Sequence, residues 1–233
     1  MPGHMITIKA KDGGSFQGVL ATPDSGKGAG IVVLQEIFGV NYVMREICHT
    51  LAALGYFALC PDMFWRQEPN CELSDKTKGE WDRAFKFFQG YDSAKGIEDI
   101  SATVDALRHV KGCTGKIGAV GYCLGGTLAY RAATYTDADC SVGYYGVGID
   151  QLLGDASKIK TPHMQHIAEK DKFVPPEAQA KVKDGLKGNK LVTLHSYAGC
   201  DHAFARWGGE HYDAKAAKLA NDQTYAFFKT HLA

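Results

Sequence analysis

One cysteine in a glycine-rich turn is the residue of this chain best suited to covalent chemistry. The segment Gly121–Gly126 reads GYCLGG, follows the apolar run Ile117–Val120 and precedes a helical pattern over Thr127–Ala133. Small residues let a strand and a helix pass closely, and the sharp turn between them lifts the central side chain above the sheet. We therefore predict that Cys123 is an exposed nucleophile and that the Leu124 amide points towards a developing oxyanion.

Three other reactive side chains stand shortly after predicted buried strands: Glu36, Asp171 and His202. Ligands of open α/β sheets bind at the carboxyl ends of the strands, so we expect these side chains to gather around Cys123. The chain order of nucleophile, acid and histidine is that of the α/β-hydrolase triad. A glycine-rich turn alone would fit phosphate binding or simple packing equally well, but the four residue types together favour catalysis.

Two of these assignments have competitors nearby. Asp171 competes with Glu169 and Asp201 as the partner of the histidine, but Asp201 is adjacent to His202 and should point elsewhere. The pair Cys200-x-His202 could also contribute to a metal site, although two ligands without further spacing are a weak signal. Other histidines fall within predicted strands and are interpreted as structural: His163, His166 and His195.

Glu36 has a less obvious role than the other three. Its carboxylate could cap the helix that begins near Asn41, or pair with a surface cation. It could also keep the Cys123 thiol protonated until substrate arrives, which would control reactivity because the thiolate is the nucleophile.

A scaffold that alternates strands and helices would position these residues. The apolar patterns predict an antiparallel hairpin (5–10 and 16–22), then strands at 30–34, 57–60, 117–120, 141–145, 162–168 and 191–197. Helices are predicted at 41–54, 97–110, 127–133, 175–186 and 213–232. We interpret residues 1–233 as one α/β domain, a mostly parallel twisted sheet with helices on both faces. Residues 62–95 should form an excursion over the active site, with Trp81, Phe85 and Phe88 along one helix.

Composition argues against several classes of function. Lys+Arg and Asp+Glu both number 26 in 233 residues, so neither nucleic acid nor a membrane surface is an expected partner. The seven cysteines are odd in number and show no CxxC pair, which favours free thiols in a reducing cytoplasm. No long apolar run or leader-like start is present. We expect a cytoplasmic monomer that acts on a small molecule without cofactor or metal.

Several segments taken together resemble the dienelactone hydrolases (carboxymethylenebutenolidases) of the α/β-hydrolase superfamily. They are Gln35–Gly39, Gly121–Gly126, Tyr144–Gly146, Asp171 and Asp201–Phe204, and the resemblance extends from about Ile6 to the C-terminal helix. It implies hydrolysis of an unsaturated lactone carboxylate (a dienelactone) to maleylacetate in bacterial aromatic degradation.

The resemblance also implies roles for individual residues. Cys123 would be the nucleophile, His202 the general acid and base, Asp171 its orienting partner, and Glu36 the carboxylate that controls the thiol. The amides of Ile37 and Leu124 would form the oxyanion hole. We also predict side chains that contact the substrate: Arg206, which would hold its carboxylate, Tyr145, Phe38, Phe173, Trp81 and Phe85.

The pattern departs from the family in ways that concern the substrate. Trp81 aligns where relatives often have a second substrate-binding arginine, with Arg83 nearby, and Ala203 stands where a serine is common. Two other classes of function stay open: a carboxylesterase or thioesterase of broader specificity, and a non-enzymatic module, either a thiol redox sensor or a ligand-binding relative of the α/β hydrolases. The sensor hypothesis lacks a resolving cysteine at useful local spacing.

Overall fold

A computed structural model describes residues 3–233, so residues 1 and 2 of the predicted domain lie outside the described residues. The strands form an eight-stranded, mostly parallel sheet in the order β1-β2-β4-β3-β5-β6-β7-β8. By its internal contacts the chain forms two compact units, one ending at Ala119 and the other spanning Val120–Ala233.

The first unit opens with an antiparallel hairpin and continues with parallel strands and helices. Its elements are β1 (His4–Lys9), β2 (Ser15–Ala21), β3 (Gly28–Leu34), α1 (Tyr42–Ala53), β4 (Phe57–Pro61), α2 (Lys78–Gln89) and α3 (Ser93–Arg108). Strand β5 (Cys113–Tyr122) runs from this unit into the next. Strand β2 pairs antiparallel with β4, and β3 pairs parallel with β4, which joins the hairpin to the parallel strands.

Helices α1 and α3 cover opposite faces of these strands. On β4 the Cys60 thiol hydrogen-bonds Cys48 of α1. On β3 a methyl group at Gly30 would lie 2.8 Å from the Leu107 side chain of α3. Gly30 pairs with Phe57, three residues before Cys60, and side chains alternate along a strand, so the two contacts lie on opposite faces.

The predicted excursion contains a short helix with a well-formed start. Thr77 caps α2 by accepting from the Glu80 amide at 3.3 Å, and the Glu80 carboxylate accepts from the Thr77 hydroxyl at 2.8 Å. This is a capping-box sequence, T-x-x-E, at the helix N-terminus. Phe88, expected to share a face with Trp81 and Phe85, is 36% exposed, whereas Phe87 is buried and stacks on Phe64 with ring centroids 5.3 Å apart.

A buried carboxylate anchors the start of the excursion. Asp99, in the middle of α3, is 2% exposed and accepts from the Trp65 indole at 2.9 Å and from Arg66 Nη2 at 2.8 Å. Arg66 also pairs with Asp12 in the hairpin turn, with Nη1 and Oδ2 2.6 Å apart. These contacts hold segments that are far apart in sequence.

The second unit continues the alternation of helix and strand. It contains α4 (Leu124–Tyr135), β6 (Cys140–Tyr144), β7 (His163–Ala168), α5 (Pro176–Leu186), β8 (Val192–Tyr197) and α6 (Ala214–His231), with short 3-10 helices at Ile149–Gln151 and Leu153–Lys158. Strands β6, β7 and β8 are parallel neighbours. These strands end at Tyr144, Ala168 and Tyr197, so their carboxyl ends lie at one edge of the sheet.

Helices again lie on both faces of this part of the sheet. A methyl group at Gly143 of β6 would lie 2.7 Å from the Gly126 carbonyl oxygen of α4. The next residue, Tyr144, points to the other face, where its hydroxyl bonds Asn221 at 2.9 Å and Thr224 at 2.7 Å on α6. Helix α5 packs with α4, since Val182 and Tyr130 belong to one buried apolar cluster.

The predicted α/β fold with its N-terminal hairpin is confirmed, and the differences concern boundaries. The helix expected at 97–110 begins at Ser93, because Asp92 accepts from the Ala94 and Lys95 amides and caps it there. The helix expected to carry the aromatic residues of the excursion is α2, whereas the two 3-10 helices were not predicted. Across the described residues, no helix combines the length and the apolar character needed to cross a membrane.

The buried histidines of β7 predict an acid-labile fold. His163 is fully buried between the Ser141 hydroxyl at 2.8 Å and the Gln165 amide oxygen at 3.2 Å. Burial lowers the pKa of His163 to about 4, against 6.5 for the free side chain. As the pH falls, His163 takes up its proton at a higher pH in the unfolded chain than in the folded one. The free energy of unfolding is therefore greatest above about pH 6.5 and decreases as the pH drops towards 4. The decrease should reach about 3 kcal/mol.

Urea unfolding measured across this pH range would check the expectation. In His163→Gln the slope of the free energy of unfolding against pH should decrease by the contribution of one proton. In His109→Gln the slope should be unchanged, since the His109 side chain is 75% exposed. An undiminished slope in His163→Gln would contradict the assignment.

Candidate active site

The turn that carries Cys123 has the strained geometry predicted from its glycines. Cys123 joins β5 to α4 with φ 57° and ψ −114°, in the region that L-residues rarely adopt. A methyl group at Gly121 would lie 1.9 Å from the Gly125 carbonyl oxygen, and one at Gly126 would lie 2.4 Å from the Tyr144 carbonyl oxygen. Side chains at these glycines would therefore force strand and helix apart.

Cys123, His202 and Asp171 form a continuous hydrogen-bonded chain. The Nδ1 atom of His202 lies 2.7 Å from Oδ2 of Asp171. The His202 and Cys123 side chains are also hydrogen-bonded, and because Nδ1 faces the carboxylate, Nε2 is left for the thiol. This orientation places a proton donor or acceptor beside the sulfur and a buried anion behind the ring.

The competing carboxylates near His202 have other partners. Asp201 accepts from the His202 backbone amide at 2.7 Å, and its other oxygen lies 3.9 Å from both Lys172 and His211. Glu169 lies 3.9 Å from Lys183. Asp171 is therefore the carboxylate that contacts the imidazole.

Asp171 is itself held firmly in place. Its Oδ1 atom accepts from the Phe173 amide at 2.8 Å and from the Val174 amide at 3.3 Å, which leaves Oδ2 for His202. Asp171 and His202 are 3% and 4% exposed, so the interaction between them is little screened by solvent.

The charge state of His202 follows from its surroundings. Burial lowers the pKa of His202, but the negative charge of Cys123 and the hydrogen bonds to Asp171 and Cys123 outweigh burial and raise it to about 10. The imidazolium is therefore stable at neutral pH when the sulfur is ionised. A thiolate–imidazolium pair is the arrangement that activates a cysteine nucleophile.

Backbone strain is concentrated around these groups. Four non-glycine residues in the described chain have a positive φ: Cys123 at 57°, Tyr145 at 40°, Ala203 at 63° and Asn70 at 58°. Ala203 follows His202, and the Tyr145 ring contacts His202. Strained conformations cost free energy and persist where the surrounding structure imposes them, commonly at functional sites.

Two aromatic rings predicted to bind substrate lie against His202. The Tyr145 ring meets the imidazole edge-to-face at 5.0 Å, and the Phe173 ring does so at 4.9 Å. Phe173 is 44% exposed, whereas Tyr145 is buried. The two rings restrict how the imidazole can turn, and Phe173 presents an apolar surface to solvent beside it.

The expectation that Cys123 is exposed was wrong. Only 7% of the residue is accessible. The elbow geometry lifts the side chain out of the sheet, but the thiol is then hydrogen-bonded to His202, which is itself buried. The sulfur therefore has a buried imidazole as a neighbour.

Arg206 lies on the turn that follows His202 and is 8% exposed. Its backbone amide donates to the Ala203 carbonyl at 2.9 Å, which closes the turn. Gly209 packs on its side chain, since a methyl group there would lie 3.2 Å from Cδ of Arg206. A guanidinium group is suited to binding a carboxylate through two parallel hydrogen bonds.

The remaining predicted residues belong to the first unit. Glu36 and Ile37 are buried directly after β3. Phe38 packs edge-to-face on Trp81 at 4.9 Å, and Trp81 contacts Phe85 at 5.5 Å. These three rings thus form one cluster.

Two polar side chains near the predicted rings have partners within this unit. The Trp81 indole donates to the Asp75 carbonyl at 3.1 Å, which fixes that ring. Arg83 pairs with Glu68 at 2.7 Å. Among residues 3–233 there is no cluster of three or more His, Cys, Asp or Glu able to hold a metal ion.

A cysteine elbow on a mostly parallel sheet, with a His–Asp pair at the following strand ends, defines the class of α/β hydrolases. Comparison with known proteins agrees: the model of the dienelactone hydrolase family matches residues 16–232. The carboxymethylenebutenolidase of Pseudomonas putida is 38% identical over 95% of this chain and 94% of its own. A protein of Azospirillum brasilense that bears this enzyme name provisionally is 49% identical, over 97% of this chain and 98% of its own.

A solved structure of similar fold is a dienelactone hydrolase-like promiscuous phosphotriesterase from metagenomic libraries. Its TM-score is 0.83, at 24% identity and with full coverage of both chains. The chain belongs to the dienelactone hydrolase family, and it is a hydrolase that acts on ester or lactone bonds.

Proposed function

We propose that this protein hydrolyses an unsaturated carboxylated lactone, a dienelactone, to maleylacetate during the breakdown of aromatic compounds. The observation that carries the proposal is the chain of contacts from the Cys123 thiol through His202 to Asp171. The carboxymethylenebutenolidase relatives support the choice of substrate.

The first half of the reaction opens the lactone ring. The Cys123 thiol passes its proton to His202, and the resulting thiolate attacks the lactone carbonyl carbon, so a carbon–sulfur bond forms and the carbonyl electrons move to oxygen. The amides of Ile37 and Leu124 would stabilise that oxyanion, and one such donor contributes about 3 kcal/mol. When the carbonyl re-forms, the ring carbon–oxygen bond breaks and the leaving group departs as an enolate that takes a proton from His202.

The second half releases the product. Neutral His202 accepts a proton from water, which attacks the thioester carbon. The carbon–sulfur bond breaks, the acid leaves, and the thiolate–imidazolium pair is restored. The enol tautomerises to the ketone of maleylacetate. Asp171 keeps the Nε2 atom of His202 directed at the reacting groups throughout, and Glu36 would hold the thiol neutral until substrate binds.

Arg206 should select for substrates that carry a carboxylate. We expect Arg206→Ala to raise KM for cis- and trans-dienelactone by about 10- to 100-fold, since a hydrogen bond to a charged group is worth about 1.5–3 kcal/mol. KM for an uncharged aryl ester should change little. Steady-state hydrolysis of the three substrates checks this expectation.

The matched control is Arg83→Ala, which removes an exposed arginine already paired with Glu68 and should leave all three KM values unchanged. Equal increases for lactone and ester would remove the role of Arg206. Efficient turnover of aryl esters and none of dienelactones by the unaltered protein would favour a broader carboxylesterase over the proposed function.

A further inference from the structure

The loop between β7 and α5, residues 169–174, positions His202 from two directions. Asp171 bonds the imidazole Nδ1 at 2.7 Å, and the Phe173 ring packs on the imidazole at 4.9 Å. A shift of this loop would therefore move both the charge partner and the packing partner of His202.

The side chain of Gln179, on the first turn of α5, ties the two ends of this loop together. Its Nε2 atom donates to the Val174 carbonyl at 2.7 Å and to the Glu169 carbonyl at 3.3 Å. Gln179 is 5% exposed, so water does not readily replace these bonds. The two NH groups of one amide thus close the loop around Asp171.

Gln179 is not needed to start its own helix. The first turn of α5 is closed by the backbone, since the Ala178 and Gln179 amides donate to the Pro175 carbonyl at 2.9 and 3.0 Å. Within residues 3–233, no side chain caps this helix. The buried amide of Gln179 is therefore directed at the loop and not at the helix terminus.

The space behind the loop is not tightly filled. A cavity of about 10 Å³ is lined by Asp171, Gln179, Gln165 and Tyr145, together with further residues of β7, α5 and the segments that flank them. This is room for about one water molecule. The loop also has backbone hydrogen bonds, from the Glu169 amide to the Tyr197 carbonyl at 3.2 Å and from the Lys170 amide to the Cys200 carbonyl at 2.8 Å, and the Gln179 side chain adds the bonds that join its two ends.

We propose that Gln179 is a positioning residue that holds residues 169–174 so that Asp171 and Phe173 orient His202 towards the Cys123 thiol. It does not touch the reacting atoms. A displacement of about 1 Å at a catalytic group can cost about 100-fold in rate, so the loss of this clamp should be visible in catalysis. The kinetic part of the inference rests on the proposed function, whereas the structural part concerns the imidazole alone.

The test uses Gln179→Met, which keeps the volume of the side chain but removes the amide. We expect kcat for dienelactone to fall about 10- to 100-fold with KM little changed. We also expect the pH at which His202 loses its proton, followed by NMR of histidine-labelled protein, to move down from about 10 because the Asp171 contact is weakened. A merely structural role would lower the unfolding midpoint without moving this titration.

Two further variants keep the test decisive. Gln165→Met removes another buried amide from the same cavity wall without breaking a bond to the loop, and it should leave the His202 titration in place. In Gln179→Glu the ionised carboxylate cannot donate, whereas the protonated acid can donate one bond. Its activity relative to the unaltered protein should therefore recover as the pH falls.

The outcomes separate the two proposals. An unchanged His202 titration in folded Gln179→Met, or equal shifts in Gln179→Met and Gln165→Met, would overturn the positioning role. A shifted titration in a protein that never hydrolyses dienelactone would keep the positioning role and overturn the proposed function.

Discussion

Cys123→Ala should lower the turnover of dienelactone by about 10⁶-fold, the scale seen when the nucleophile of a hydrolytic triad is removed. Without the sulfur no thioester can form, and water would have to attack the lactone directly. Neither His202 nor the backbone amides can replace the missing carbon–sulfur bond. The variant should still fold, because the change to alanine removes a single sulfur atom and leaves the backbone of the elbow unaltered.

Two measurements make this result specific to Cys123. Steady-state hydrolysis gives the rate, and mass spectrometry of protein quenched during turnover should show an acyl adduct on the peptide that carries Cys123 and none in the variant. Cys200→Ala is the matched control, because Cys200 is also buried, lies two residues before His202 and belongs to the weaker Cys200-x-His202 hypothesis. Loss of activity in Cys200→Ala together with full activity in Cys123→Ala would refute the proposed nucleophile.

The fold was predictable from sequence because its signals are local. Continuous apolar runs mark strands that are covered on both faces, and 3.6-residue spacing marks the helices between them. The elbow was predictable for the same reason. Gly121 and Gly126 allow the close approach to Gly125 and Tyr144 that the turn requires, and this requirement appears in the sequence as glycine itself.

Contacts between distant segments were not predictable where no local pattern marks the residues. Asp99 lies in the middle of an amphipathic helix, and nothing near it in sequence indicates that Trp65 and Arg66 will bury its carboxylate. Gln179 likewise reads as an ordinary polar residue at a helix start. Helical periodicity places such side chains on a face of the helix, but it does not identify the groups with which they will form hydrogen bonds.

The candidate site shows both cases. The chain order and the strand-end positions predicted that Asp171 and His202 could meet, and they are in contact. The burial of Cys123 was missed because the elbow pattern describes the local backbone and does not show which distant segments will surround the thiol. The positive φ of Tyr145 and Ala203 was missed as well, since neither residue type signals it.

Asp171→Asn should reduce kcat by about 10⁴-fold while leaving the fold intact, as the same change does in the serine protease triad. The asparagine oxygen can still accept from the Phe173 and Val174 amides, so the loop keeps its bonds. The amide nitrogen would then face Nδ1 of His202 as a donor and favour the tautomer that carries its proton on Nε2. That ring can no longer accept a proton from the thiol.

The pH dependence gives this prediction its sign. Burial lowers the pKa of His202, and Asp171 is among the groups that outweigh burial and raise it to about 10. A pKa that is raised in the folded protein stabilises it fully at a pH below about 6.5, the pKa of histidine in the unfolded chain. This stabilisation is lost as the pH rises through the pKa of the folded protein. Removing the carboxylate charge should therefore lower the pKa of His202, so that the ion pair is lost at a lower pH.

The isosteric control is Asp201→Asn, whose side-chain oxygen can still accept from the His202 backbone amide. Its kcat and the pKa of its His202 should stay close to those of the unaltered protein. An Asp171→Asn variant that titrates His202 as before, or loses no more activity than Asp201→Asn, would show that Asp171 does not govern the imidazole.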